Sequence, residues 1–303
     1  MPVTARRQAV LFVVVASIAF ATSASFARWA RPADPLVVAF GRVLVAAAIL
    51  VAWDARGVLG AWRGAPTRQR RGIVGAGVLL AIHFALFLVG LDRTSLPAAV
   101  ALVSLEPLSV VLCAWALHGL RPTGMELGGV LLATAGAAIV SSGAGSGEHH
   151  LAGDVLVVLA VLVYGLYVSA ARAFRGTIGP RPYAALVYAA AACALAATAE
   201  YSLARAPSGL SGALPPHALL AIVALAIVPT IVGHTAVQAA ARDMSPSTVA
   251  LVSPGETVGG LALGAWMLAA TPSRTELVGA AVVLVGATTA ILGARRPPTP
   301  AAG

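Results

Sequence analysis

Pro97-Ala98-Ala99-Val100-Ala101-Leu102-Val103-Ser104 and Pro246-Ser247-Thr248-Val249-Ala250-Leu251-Val252-Ser253 are near copies of one segment, 149 positions apart. Each copy runs into a proline and a glutamate: Glu106-Pro107 after the first, Pro254-Gly255-Glu256 after the second. The chain therefore reads as a duplicated unit, and each copy sets a carboxylate in an apolar helix beside a helix breaker. In a bilayer that combination marks a pathway for solute or ion.

The surrounding composition requires a bilayer. Of 303 residues, 59% are hydrophobic and 10% charged, against about 25% charged in a soluble domain. The net charge of +9 does not point to nucleic acid, because the arginines cluster between apolar runs and report topology instead. All 20 basic residues are arginine, so Schiff-base lysine chemistry is excluded. Cys113 and Cys193 sit inside apolar runs without metal-ligand spacing and read as core hydrophobes. Arg6-Arg7 ahead of Val10 to Phe20 has the outline of a signal peptide, but cleavage would delete the first helix of one repeat, so an uncleaved anchor is expected.

A spanning helix needs about 20 mostly apolar residues. Ten such runs are expected, at about 8–27, 35–53, 72–91, 97–117, 125–142, 152–171, 183–203, 217–239, 246–269 and 275–293. Fourteen arginines fall in connections on one side and five on the other, which places the first side, with both termini, in the cytoplasm. Five spans per copy is odd, so the second copy enters from the opposite face. The expected fold is an all-α integral membrane protein of ten transmembrane helices in two inverted five-helix repeats. The first repeat covers 1–142 and the second 152–294, with an extracytoplasmic hinge at 143–151 and a cytoplasmic tail at 295–303.

The motifs resemble the EamA-type branch of the drug/metabolite transporter superfamily. The resemblance rests on Asp34-Pro35 leading to Arg42, Asp92-Arg93-Thr94-Ser95 and Leu105-Glu106-Pro107. Arg242-Asp243-Met244-Ser245-Pro246, Gly255-Glu256 and the glycine-bearing helices from Gly128 to Gly136 and Gly279 to Gly286 add to it. It covers nearly the whole chain and implies ten helices in two inverted repeats around a cavity lined by the third, fourth, eighth and ninth. Where that group often carries Gly-Glu-Arg/Lys after the fourth and ninth spans, this chain has Gly119-Leu120-Arg121 and Ala269-Ala270-Thr271.

Depth selects the candidate site residues. Counting 1.5 Å per residue, Glu106 lies ~14 Å and Glu256 ~15 Å into their spans, near the middle of a core about 30 Å thick. A charge there costs roughly 2.5–3.5 kcal/mol or more. Each glutamate is thus either a proton or amine site facing a wet cavity or a neutral acid capping backbone freed by its proline. Ser253, Gly259 and Gly260 share the face of Glu256, and Ser109 and Cys113 that of Glu106. Ser104 and Ser253 close the two echoes. Pro107, Pro229, Pro254 and Gly255 are the expected helix breaks.

His83 is a midplane titratable group, either a cavity ligand or an interhelical donor. Thr230, His234, Gln238 and Arg242 recur every four residues, so their stripe should face protein or water. Arg42 either snorkels outward, pairs with Glu106, or meets an anionic solute group. Tyr164 and Tyr167 suit an aromatic cavity wall as well as ordinary packing, with Phe20 at the matched site of the first span. Trp29, Trp53, Trp62 and Trp115 read as the interfacial belt, and Gly124/Gly128, Gly255/Gly259 and Gly260/Gly264 as small-residue helix contacts.

No Walker A loop, His-Glu-x-x-His, Cys-x-x-Cys or Gly-x-Ser-x-Gly occurs, so an enzyme is not expected, nor any cofactor or metal. The sequence supports a secondary transporter of the cell membrane that exports a small metabolite or amino acid by alternating access, with protons as coupling partner. The alternative is a facilitator or importer without proton coupling. Partners are the solute, the lipid bilayer and protons, not nucleic acid, with the chain as monomer or homodimer.

Overall fold

A computed structural model describes residues 3–94, 99, 102–142, 151–174, 177–206, 213–267 and 273–293. The 143–150 part of the expected hinge and the 295–303 tail lie outside the described residues. Every regular element among the described residues is helical. The first half holds α1 (Val3–Ala21), α2 (Ser23–Trp29), α3 (Pro35–Trp53), α4 (Ala55–Gly64), α5 (Thr67–Arg93), α6 (Glu106–His118) and α7 (Gly124–Ser142). The second half opens with α8 (Leu151–Ala170), a 3-10 turn at Ala171–Phe174, α9 (Pro180–Ala204) and α10 (Pro216–Leu225). A π-helical stretch at Ala226–His234 follows, then α11 (Thr235–Asp243), α12 (Pro246–Ala250), α13 (Val252–Met267) and α14 (Arg274–Gly293).

Local chemistry sets many of these boundaries. Asp34 accepts from the Leu36 backbone N–H with Pro35 in the first turn of α3, and Ser245 does the same for Thr248 ahead of Pro246. Proline costs nothing there, because the N–H it lacks would have had no helical partner. Thr123 and Glu126 form a reciprocal capping box at the start of α7: the Thr123 N–H donates to Glu126 Oε2 at 2.7 Å, and the Glu126 N–H donates to Thr123 Oγ1 at 3.1 Å.

Among the described residues six segments are long and apolar enough to cross a membrane: Leu11–Trp29, Pro35–Trp53, Thr67–Arg93, Leu151–Phe174, Pro180–Ala204 and Pro216–Arg242. Glu106–His118, Gly124–Val140 and Leu277–Ala290 are shorter apolar helices. Apolar side chains such as Leu11, Val14, Ile18, Leu162 and Leu284 lie exposed on the helices, as a hydrocarbon surrounding allows. Cys193 is exposed and Cys113 half-buried, so the expectation of two core cysteines fails for Cys193. Trp29, Trp53 and Trp115 are exposed at helix ends, and the Arg181 guanidinium lies 5.1 Å over Trp53.

Several expectations about helix breaks are corrected. The fourth expected span is interrupted at Ser104-Leu105, two residues before Pro107, so Pro107 stands in the first turn of α6 rather than kinking it. The ninth breaks at Leu251, leaving Pro254 and Gly255 inside α13. Gly255 serves contact instead: a Cβ there would sit 2.4 Å from Ser17 Oγ of α1. Pro229 does not break the eighth span. It widens the turn into the π stretch, and Thr230 Oγ1 donates to the carbonyl of Leu225, four residues before the proline, at 2.7 Å. That repair matters because an unsatisfied carbonyl in a membrane costs several kcal/mol. Between the second and third expected spans the chain is largely helical: Asp54 Oδ1 caps α4 through the Gly57 N–H, and α5 begins at Thr67.

The helices pair in a pattern that repeats when the two halves are exchanged. The first span packs on the eighth and ninth, and the sixth packs on the third and fourth. The second packs on the seventh and the fifth on the tenth. The α7–α14 seam is glycine against backbone: a Cβ on Gly129 would meet Ala290 N at 2.3 Å, and one on Gly136 would meet Val283 N at 2.6 Å. As numbers rise along α7 they fall along α14, so the two helices run antiparallel. This seam lies one residue round from the expected contact, for nothing comes within 4 Å of a Cβ on Gly124 or Gly128. Gly259 faces Ala21 Cβ at 3.3 Å as expected, whereas Gly264 is a position whose side-chain surroundings, like those of Gly260, fall outside the description.

Candidate functional site

The two broken helices meet at the centre of the molecule. Ser253 Oγ, beside the break in the second copy, donates to the Val103 carbonyl at the break in the first, at 3.0 Å. The same hydroxyl is within hydrogen-bonding reach of Glu106. Beside this crossing lies a small, partly open cavity. Glu106 and Glu256, one from each copy, line it together with His83, His234, Arg42 and Tyr164. Phe20, Ser23, Phe84, Phe87 and Val103 complete the wall. Both carboxylates line this one space, where two like charges would repel one another.

Arg42 does not snorkel outward; it is 1% exposed. Its Nε donates to Thr230 Oγ1 at 3.0 Å, and its guanidinium carbon lies 3.8 Å over the centre of Phe84. The Thr230 hydroxyl thus joins two tasks, closing the Leu225 carbonyl and fixing the arginine. Tyr188 steadies the same turn by donating its hydroxyl to the Thr230 carbonyl at 2.9 Å. Arg42 Nη1 and Nη2 have no hydrogen-bond partner among the described residues, so pairing with Glu106 is not observed either.

His83 lines the cavity and also makes an interhelical contact. Its Nδ1 lies 3.0 Å from the Ala160 carbonyl, which can only accept, so Nδ1 carries the hydrogen and neutral Nε2 is left as an acceptor. His234 packs its ring 4.7 Å from Phe20 and 5.0 Å from Phe84, and its Nδ1 is unpartnered among the described residues.

The polar stripe of the eighth span divides its labour. The wide π turn offsets the drift that a four-residue repeat accumulates on a 3.6-residue helix, so all four side chains stay inward. Only His234 reaches the cavity. Gln238 donates from Nε2 to the Tyr167 hydroxyl, and Arg242 from Nη1 to the Ile178 carbonyl at 2.6 Å. Tyr167 and Gln238 are therefore brought to each other rather than to the cavity wall, while Tyr164 faces the cavity. Ser104 is buried at the first break, the counterpart of Ser253 at the second, and like Pro107, Pro229, Pro254 and Gly255 it is not on the cavity wall. Sequence reasoning missed Phe84, Phe87 and Tyr188. Phe84 follows His83 directly, and an intramembrane arginine without a local counter-charge is the signal that could have prompted a search for its aromatic support.

The EamA-like transporter family model matches residues 7–142 and again 151–292. The chain belongs to that family, which makes it a multi-pass membrane transporter of small solutes with the two-repeat architecture. One solved crystal structure aligns over 95% of this chain and 99% of its own, with a TM-score of 0.77 at 22% identity. That likeness shows the fold alone. No curated protein matches.

Proposed function

We propose that the protein is a proton-coupled secondary transporter that exports a small metabolite or amino acid by alternating access. The observation that carries this is the shared cavity: one glutamate from each copy faces the same space, opposite an arginine with two open donors. A carboxylate in such a place can hold a proton or a substrate ammonium in turn, and that competition is what exchange requires. Arg42 would take an anionic group of the solute. In this reading the chain crosses the membrane ten times as two inverted repeats, 1–142 and 152–294, with both termini in the cytoplasm of a plasma-membrane protein. The antiparallel α7–α14 seam and the exchanged helix pairings support inversion, and the arginine bias supports the orientation.

The test is chemical block of the pathway. With Cys113 and Cys193 replaced by alanine, Phe87→Cys puts one thiol on the cavity wall. Purified protein in vesicles is offered the common amino acids and aromatic amines one at a time. A water-soluble maleimide should abolish the flux it supports, and the transported solute should slow the reaction. Full modification with flux intact would remove the cavity from the pathway.

A further inference from the structure

The helix pairings divide the molecule into two bodies that each borrow from the other repeat. One body is α5, α6 and α8; the other is α10 through α13 together with α1 and α2. The cavity lies between them, and the second, seventh, fifth and tenth spans flank both. Contacts between the bodies include the central crossing of the broken helices, the rings of His234 and Phe84 at the cavity wall, and hydrogen bonds toward each end of the cavity.

Both end contacts are made by an arginine donating to backbone carbonyls. At one end Arg28, on α2, donates from Nη2 to the Leu91 carbonyl at 2.9 Å and the Thr94 carbonyl at 2.7 Å. Arg31 adds an ion pair to Asp92, Nη2 to Oδ1 at 2.7 Å. At the other end Arg172, just past α8, donates from Nη2 to the Met244 carbonyl at 2.5 Å. Arg242 reaches the Ile178 carbonyl there, and Gln238 reaches Tyr167.

These ends are opposite. α5 and α8 run antiparallel, because Gly90 approaches Gly153 while Gly72 approaches Phe174. Arg28 meets the Leu91 end of α5, beyond cavity residues His83 and Phe87. Arg172 lies beside the Gly72 end. Arg28 and Arg172 also hold matching places in the two copies, each preceded by alanine at the close of a first span.

We infer that Arg28 and Arg172 are the latches of two opposed gates, each holding the two bodies together at one end of the cavity. With both engaged the two bodies are held together at both ends, and passage requires that one latch release while the other holds. A guanidinium suits this task. Its bonds to carbonyls are strong enough to close a gate, and the carbonyls it releases on opening lie at helix ends that water can solvate. The Ser253–Val103 bond at the central crossing is the fulcrum.

The inference rests on the transporter reading, but its test measures access rather than flux. The Phe87→Cys reporter is placed in chains carrying Arg28→Gln or Arg172→Gln, and its reaction with a membrane-impermeant maleimide is timed from each side of the membrane. Losing a hydrogen bond from a charged donor should shift the open population about tenfold. Arg28→Gln should speed labelling from one side by that factor, and Arg172→Gln from the other. If either chain fails to reach the membrane, Asp92→Asn replaces the first and Tyr167→Phe the second. Acceleration from the same side by both, or from neither side, overturns the latches. Opposed acceleration in a protein that moves no solute would keep the latches and reject the transporter reading.

Discussion

Glutamine at position 256 should leave the protein folded and inserted while gradient-driven solute flux falls about tenfold or more, equivalent to ~1.4 kcal/mol on the barrier. Glu256→Gln keeps the shape and hydrogen-bonding length of the side chain and removes only its exchangeable proton. Solute-for-solute exchange should survive, since the cavity still binds and still switches. Glu106→Gln should do the same. On the sequence alone Glu256 ranks first, because Ser253, Gly259 and Gly260 share its helical face. The structure removes that reason. Gly259 is pressed against α1, and Ser253 serves the Val103 carbonyl and Glu106. Glu106 is also the more deeply enclosed at 6% exposure, so both carboxylates stand on equal footing. Flux is compared in vesicles with and without an imposed pH gradient. Gradient-driven flux at the wild-type rate in both variants would discard the carboxylates as coupling groups and leave His83 and His234 as the next candidates.

Gly129→Leu should prevent the fifth and tenth spans from seating against each other. A Cβ at 129 would lie 2.3 Å from the Ala290 backbone nitrogen and 2.7 Å from the Gly286 carbonyl oxygen. Backbone cannot rotate away as a flexible side chain would, so overpacking here costs at or above the usual ~1–3 kcal/mol. The penalty grows because the close backbone approach that holds membrane helices together is lost along the whole seam. Gly286→Val should behave alike, with Ala133 N at 2.4 Å. Gly128→Leu, one residue away and facing open space, is the control and should express normally. The readout is the yield of monodisperse protein in detergent. Equal yields from Gly129→Leu and Gly128→Leu would show that the seam does not hold the halves together.

What could be read from the sequence follows from which forces are local. Apolar run length, arginine bias and the echo at Pro97 and Pro246 are one-dimensional signals, so the helical membrane class and the duplication were visible. The depth of Glu106, Glu256 and His83 followed from helical rise alone, and the structure brings all three to one cavity with His234, Arg42 and Tyr164. The helix breaks were misplaced by a turn or less. Proline is tolerated in a first turn, so Pro107 marks where a helix begins, and the Thr230 hydroxyl let Pro229 stay within a continuous span. Face is the other casualty: a glycine repeat on α7 offers Gly124/Gly128 and Gly129/Gly136 alike. Only the partner helix decides between them. Tyr167 and Gln238 could not be separated from cavity residues, because their bond joins positions 71 residues apart in the chain.

Coupling is tested most directly by the unmodified protein in vesicles loaded with solute and a pH-sensitive dye. Solutes are screened as common amino acids and aromatic amines, with outside pH set equal to or below inside pH. A proton-coupled exporter predicts faster solute exit when the outside is acid, with the interior acidifying only when a transported solute is present. Solute exit at one rate regardless of the gradient, with no solute-dependent acidification, would contradict proton coupling and identify a facilitator built on the same fold.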